Sequence, residues 1–187
     1  LAKLNVDHVD YLILTHSHYD HAANAHKVQE FFGAKVIIHR SEESWLRSGK
    51  NIVPKGTNPV TKVLVKCFSK AFTKFMEYKP CNPDIIAEDF IDLREHGFNC
   101  YIIHTPGHTE GSVSVIADNE IALVGDTMFG VFSGSIYPPF ADDTGKMIAS
   151  WSRLLETGCK IFMPSHGSEN MTELVQKEYN ARIALLK

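Results

Sequence analysis

His16-Ser17-His18-Tyr19-Asp20-His21 sets four potential metal ligands within six residues, directly after the apolar run Tyr11-Leu12-Ile13-Leu14. A short apolar run of this kind reads as a buried strand. The cluster therefore hangs from a strand end and aims imidazoles and a carboxylate at one place. Three later stretches repeat the arrangement. Tyr101-Ile102-Ile103-His104-Thr105-Pro106-Gly107-His108-Thr109 sets His108 in a turn after an apolar run. Ile121-Ala122-Leu123-Val124-Gly125-Asp126-Thr127 ends another run on Asp126, and Lys160-Ile161-Phe162-Met163-Pro164-Ser165-His166-Gly167 ends a third on His166. Together these stretches supply five histidines and two aspartates.

That inventory suits two borderline divalent ions better than one. Zinc takes imidazole nitrogen and carboxylate oxygen, with about four ligands per ion and one position open where the site is catalytic. Seven side chains exceed what one such ion can use. They divide into three for each of two ions plus one bridging carboxylate.

In order and spacing these elements resemble the metallo-β-lactamase-fold hydrolase superfamily. Its members carry an HxHxDH motif, a later His in a TPGHT-like turn, an Asp in a GDT-like turn and a final His in a PxHG-like turn. The resemblance implies an α/β chain, an αββα sandwich of two mixed β-sheets flanked by helices, as a single domain over residues 1–187. It also implies that His16, His18 and His108 hold the first ion, that Asp20, His21 and His166 hold the second, and that Asp126 bridges them. Members usually begin with several strands and a helix before the HxHxDH strand. Here residues 1–5 read as the end of that helix and the motif strand follows at once. The expectation is an N-terminally incomplete domain whose sheet is completed by a further segment or by a partner chain, as in an oligomer.

Composition fits a globular domain. A chain of 187 residues with 44% hydrophobic residues can bury a substantial core. Nineteen basic against 22 acidic residues give a net charge of −3, and no dense Lys/Arg tract appears, so no nucleic-acid partner is expected. Cys67, Cys81, Cys100 and Cys159 lack CxxC spacing and read as buried or incidental thiols. No apolar stretch approaches the roughly 20 residues that span a bilayer. Nor does the N-terminus resemble a signal peptide. A cytoplasmic protein acting on a small molecule, without a membrane partner, is therefore expected.

Periodicity places the remaining elements. Ala22, Ala25, Val28 and Phe32 predict a helix over 21–32 that stops at Gly33, and Val36-Ile37-Ile38 predict a strand over 35–39. Strands are predicted over 90–93 and 98–104, and a hairpin over 113–117 and 120–125 is closed by Asp118-Asn119. Two helices follow, one through Met147, Ile148, Trp151, Leu154 and Leu155, the other through Leu174, Val175, Tyr179, Ile183 and Leu186. Residues 41–83 are the least regular. They hold Trp45, Phe68, Phe72, Phe75, Met76 and Tyr78 among lysines, prolines and glycines. The phenylalanine spacing predicts a short helix buried on one face, while the length and aromatic content equally predict a lid or insertion over the metal site. His39 and His104 are expected as packed groups at strand ends, and His8, His26 and His96 in solvent. Tyr19, Tyr137 and Phe72 are weak candidates for contact with substrate.

Chemistry follows from the ligand inventory. Two ions about 3.5–4 Å apart can share a water and lower its pKa towards neutrality. A metal-bound hydroxide, formed at two zinc ions with iron or manganese as substitutes, is then the expected nucleophile. Asp20, both a ligand and a carboxylate beside that solvent, is the candidate catalytic proton carrier. Within the resemblance, an aspartate at Asp126 is closer to the thioesterase, lactonase and phosphodiesterase branches than to true β-lactamases, which usually lack it. No basic exosite for tRNA is evident. The expected activity is hydrolysis of a small ester, lactone or thioester. The alternatives are an iron-dependent oxygenase like the persulfide dioxygenases, a β-lactamase or phosphodiesterase, and, in another class, a non-catalytic metal-binding regulatory module.

Overall fold

Side-chain parity along the strands decides how the layers stack. Successive residues of a strand face opposite ways. In β2 (Lys35–His39), Val36 and Ile38 pack with Leu14, Ala22, Ala25, Leu46 and Tyr78, whereas Ile37 between them turns to Leu93, Ile102, Val113 and Val115. In β5 (Cys100–His104), Ile102 joins that central layer and Ile103 faces a third cluster built on Met147, Trp151, Leu154 and Phe162. Three apolar layers result: helix on sheet, sheet on sheet, and sheet on helix. This is the αββα sandwich that the sequence predicts. A computed structural model describes residues 6–50 and 53–185, apart from the side chains of residues 70–72 and 74.

The first sheet has the order β1 (Tyr11–Ile13), β2, β3 (Ile85–Ala87), and both pairings are parallel. The second runs β4 (Phe90–Asp92), β5, β6 (Val113–Ala117), β7 (Ile121–Gly125), β8 (Ile161–Pro164) and β9 (Asn170–Met171), antiparallel except for β7 on β8. Only the second sheet is therefore mixed. The first is wholly parallel because its successive strands are joined by helical crossovers, within residues 19–32 between β1 and β2 and within residues 40–75 between β2 and β3, as parallel pairing requires. Its three strands face the β4–β6 part of the larger sheet. Leu123 on β7 and Met163 on β8 stay about 40% exposed.

Helices cover the outer faces. The helix expected over 21–32 is two, α1 (Tyr19–Ala22) and α2 (Ala25–Phe32), the second ending at Gly33 with φ of +68°. Residues 41–83 are more regular than their prolines suggest, holding most of α3 (Arg40–Ser48) and the 17-residue α4 (Pro59–Phe75). Proline fits at the first helical position because its missing N–H is not needed there. Over the second sheet lie α5 (Thr144–Glu156) and α6 (Thr172–Leu185). Asp118 and Asn119, with φ of +55° and +54°, close the β6–β7 hairpin. His39 and His104 stack at 4.1 Å, and His26 is half-buried beside Glu30 rather than free in solvent. All four cysteines are free thiols. No helix among the described residues is long and apolar enough to cross a membrane.

Trp151 is fully buried in the outer layer of the larger sheet, and its Nε1–H donates to the carbonyl of Thr127 at 2.7 Å. Thr127 adjoins Asp126, so this bond also steadies a ligand-bearing loop. Trp151→Ala is expected to cost about 3–5 kcal/mol, and Trp151→Phe, which removes the donor but keeps an aromatic ring, about 1–3 kcal/mol. Chemical denaturation of both variants reads these losses, and an undiminished stability in Trp151→Phe would show that the hydrogen bond contributes nothing.

Candidate metal centre

All seven motif residues sit just beyond the C-terminal ends of strands. His16 and His18 lie in the loop after β1, and Asp20 and His21 in the α1 turn that continues it. His108, Asp126 and His166 follow β5, β7 and β8. Because β5 and β7 each run antiparallel to β6, and β8 runs parallel to β7, those three ends share one edge of the larger sheet. β1 is brought to that edge by a backbone hydrogen bond from Val113 N–H to the Thr15 carbonyl, 2.9 Å. Close approach there depends on Gly125, at φ +55°, because a Cβ would stand 2.8 Å from the Thr15 side chain. Gly107 does the same for the His108 turn, where a Cβ would meet the Met147 backbone nitrogen at 2.2 Å.

The ligand atoms converge. Three groups whose donor atoms lie within 4.8 Å of one another could each hold an ion: His16, His18 and His108; His16, His21 and Asp126; Asp20, His21 and His166. Asp126 Oδ2 lies 3.6 Å from His108 Nε2 and 3.5 Å from His166 Nε2, between the first set and the last. Its Oδ1 is 3.4 Å from His21 Nε2. Asp20 Oδ2 stands 3.2 Å from His166 Nε2 and 3.5 Å from His21 Nε2.

Hydrogen bonding leaves the right atoms over. His108 Nδ1 donates to the Phe140 carbonyl at 3.0 Å, which leaves Nε2 with its lone pair, aimed at His18 Nδ1 3.0 Å away. Two nitrogens at tetrahedral angles on one zinc would stand roughly 3.3 Å apart. The buried Nε2 atoms of His16 and His21 and Oδ1 of Asp126 have no hydrogen-bond partner, a costly condition unless a cation is shared among them. The donor set fits a divalent ion of zinc-like character.

Electrostatics agree with a cation-accepting site. Burial, reinforced by the neighbouring imidazoles, drives His16 well below the usual histidine range and His18 down to about 3, and burial outweighs Asp126 in lowering His108. These rings are neutral at pH 7, as ligation requires. Burial also works against a charged His21, but the Asp126 carboxylate and then Asp20 overcome it and raise its pKa. Asp126 is held below its ordinary value because His21, His108 and His166 outweigh the cost of its burial.

A cavity of about 360 Å³ opens on these ligands. His18, Tyr19, Asp20, His108, Asp126 and His166 form one end; Val53, Pro54, Leu64, Val65, Met76, Phe129 and Phe140 form the apolar remainder. Among the described side chains, residues 41–83 thus reach the cavity through Val53, Pro54, Leu64, Val65 and Met76. Tyr78 lies beneath the motif loop and donates its hydroxyl to the Ser17 carbonyl at 2.9 Å. Tyr137, expected at the substrate, lines a separate groove, its ring held by Arg182 at 3.8 Å and packed against Trp151. The side chain of Phe72 lies outside the described residues.

Sequence reading missed Glu42. Its carboxylate is buried, with Oε2 accepting from Ser17 N–H at 3.0 Å and from the Ser17 hydroxyl, and Oε1 accepting from Gly111 N–H at 3.2 Å. One side chain of α3 thereby ties the His16–His18 loop to the His108 turn. Nothing in its local sequence marks it, since an acid in the first turn of a helix is ordinary.

Known proteins resemble this chain in sequence and in fold. A probable metallo-hydrolase from Methanocaldococcus jannaschii is 28% identical over 142 residues, 76% of this chain and 60% of that protein. A hydroxyacylglutathione hydrolase from Pelagibacter ubique is 27% identical over 131 residues, 70% of this chain and 41% of that protein. The chain thus spans less than two thirds of the length of either. The crystal structure of an archaeal metallo-beta-lactamase superfamily protein from Sulfolobus tokodaii superposes with a TM-score of 0.67 at 22% identity, covering 95% of this chain and 69% of that one. Residues 1–166 match the family model of the metallo-beta-lactamase superfamily, and the chain belongs to that superfamily.

Proposed function

We propose that this chain is a hydrolase of small esters, lactones or thioesters with an apolar acyl part, working with two divalent ions, zinc by preference and iron or manganese as substitutes. The observation that carries this reading is the set of unpartnered imidazole nitrogens and carboxylate oxygens at one end of an otherwise apolar cavity. In this reading His16, His18 and His108 hold one ion, Asp20, His21 and His166 the other, and Asp126 spans both. The hydroxyacylglutathione hydrolase among the relatives supports the thioester class. Ions bound there supply a Lewis acid for the substrate's acyl oxygen and bring the pKa of water towards neutrality.

The chain's own groups account for the rest. Asp20 is half-exposed at the cavity with Oδ2 facing the ligand cluster. It accepts the proton of the attacking water as oxygen bonds to the acyl carbon. It then returns that proton to the departing alkoxide or thiolate when the ester or thioester bond breaks. The apolar wall of Val53, Leu64, Val65 and Met76 serves as the lid, excluding bulk water and receiving the acyl part. Glu42 acts at one remove, holding the two loops so that His16, His18 and His108 stay at ligand separation.

A second reading rests on two of the three groups. His16, His21 and Asp126, and likewise Asp20, His21 and His166, make a two-histidine, one-carboxylate set, the composition used by non-haem iron oxygenases. Elemental analysis of the purified protein with parallel assays of ester, lactone and thioester hydrolysis and of oxygen uptake separates the two. Iron as the sole metal with oxygen consumption and no hydrolysis would overturn the hydrolase.

Asp20→Ala is expected to lower turnover by two or more orders of magnitude and to reduce bound metal from two equivalents towards one. His104→Ala, at the His39 stack, is expected to keep both. Equal metal loss in the two variants would show the ligand assignment to be wrong. Glu42→Gln puts an amide where two N–H groups need an acceptor, and should weaken metal binding by about 10–100-fold in competition with a chromophoric chelator. An unchanged affinity would reduce Glu42 to a packing role.

A further inference from the structure

Helix α4 combines two sequences on one cylinder. Lys62, Lys66, Lys70 and Lys74 recur every fourth residue, a spacing that gathers them on one side of a helix, and no acid stands between Pro59 and Phe75. The opposite arc carries Val60, Leu64, Cys67, Phe68 and Phe75. Seven of the chain's 19 basic residues but only one of its 22 acidic ones, Glu77, fall within residues 50–79. This stretch therefore bears a formal charge of +6 inside a chain of net −3.

Packing does not consume the apolar arc. Phe75 is 84% exposed and Val60 75%, with Val63 also open. Leu64 and Val65 reach inward as part of the cavity wall. Lys62 and Lys66 are exposed along a shallow groove beside Tyr137, and among the described residues neither ammonium is paired with a carboxylate. Asp142, which shares that groove, accepts from the backbone N–H of Lys55.

A helix whose only charged residues are lysines gathered on one side, with phenylalanine, leucine and valine opposite, has the chemistry of one lying in the plane of a membrane interface. We infer that α4 docks this protein on an anionic lipid surface, with Val60 and Phe75 entering the headgroup boundary and Lys62 and Lys66 meeting lipid phosphates and carboxylates. Charge selects this occupant. A second copy would set lysine face against lysine face, and a nucleic acid would leave the apolar arc unused. The lack of a spanning stretch, on which the expectation of no membrane partner rests, does not bear on a helix that lies flat. The inference stands apart from the metal chemistry, because binding to lipid needs no turnover.

Co-sedimentation of the whole protein with vesicles of phosphatidylcholine alone, and with one third phosphatidylserine, tests it. Binding is expected only to the anionic vesicles, and to fall as salt rises. Lys62→Gln with Lys66→Gln should weaken it roughly 30-fold, and Phe75→Ser about tenfold. These sites are exposed, so melting temperature and metal content should hold, and both are measured alongside. Failure to bind anionic vesicles, or equal binding to both kinds, overturns the inference. So does self-association that Phe75→Ser abolishes without any lipid binding, which would assign the face to a second copy. Binding of a single-stranded oligonucleotide that is lost in the lysine variant but kept in Phe75→Ser, with no vesicle binding, would assign it to nucleic acid.

Discussion

The bond from Val113 N–H to the Thr15 carbonyl joins the two sheets at the point where both contribute ligands. Every other feature of the centre depends on it. β1 is only three residues long and pairs on one side alone among the described residues, so its own sheet fixes its position weakly. A slip of one residue would turn each strand residue to the opposite face and carry His16 and His18 away from His108. Gly125 permits the contact by leaving room for Thr15, and Glu42 and Tyr78 hold the following loop by both sides of the Ser17 peptide framework. Imidazoles whose lone pairs have no other partner can be kept in place only by such outside support, since mutual repulsion and desolvation both act to spread them.

The ligand motifs were legible because each is local. A strand end, a turn residue and an imidazole adjoin in sequence at His108 and at His166, and a carboxylate does so at Asp126. The β6–β7 hairpin was legible for the same reason: Asp118-Asn119 tolerates positive φ in place. The sandwich was legible only through the family resemblance, because Val36-Ile37-Ile38 and Ile102-Ile103 are continuous apolar runs in which no alternation assigns the faces. Glu42 was not legible, because its partners Ser17 and Gly111 lie 25 and 69 residues away. The surroundings of Tyr137, a weak candidate for substrate contact, were not legible, because the Arg182 and Trp151 side chains that meet its ring come later in the chain. In residues 41–83, proline and glycine read as disruption, but Pro59 begins a helix rather than breaking one. The four lysines of α4 formed no run in the sequence, and only helical spacing collects them.

The cavity divides its labour by residue type. Polar and charged groups come from the strand-end loops, whose geometry is fixed by two packed sheets, while most of the apolar wall comes from the segment around α4, completed by Phe129 and Phe140. Chemistry is thus placed on the rigid part and selection on the part that packs least against the rest. Superfamily membership accounts for the first half. The second is where chains that share a fold differ in what they accept, since function resides in sites built on a scaffold rather than in the scaffold itself.

The Glu42 tie also bears on how the chain acquires its structure. Its hydrogen bonds close loops of 25 and 69 residues, and the Tyr78 bond to Ser17 closes one of 61. Contacts of such sequence separation form slowly, because the entropy of closing long loops is lost before they stabilise anything. Helices and the β6–β7 hairpin, whose partners are near neighbours, can assemble well before them. The centre is therefore a late-forming region with little native character in the folding transition state. Weakening Glu42 then shortens the lifetime of the folded protein by accelerating unfolding, while the refolding limb of the chevron stays where it was.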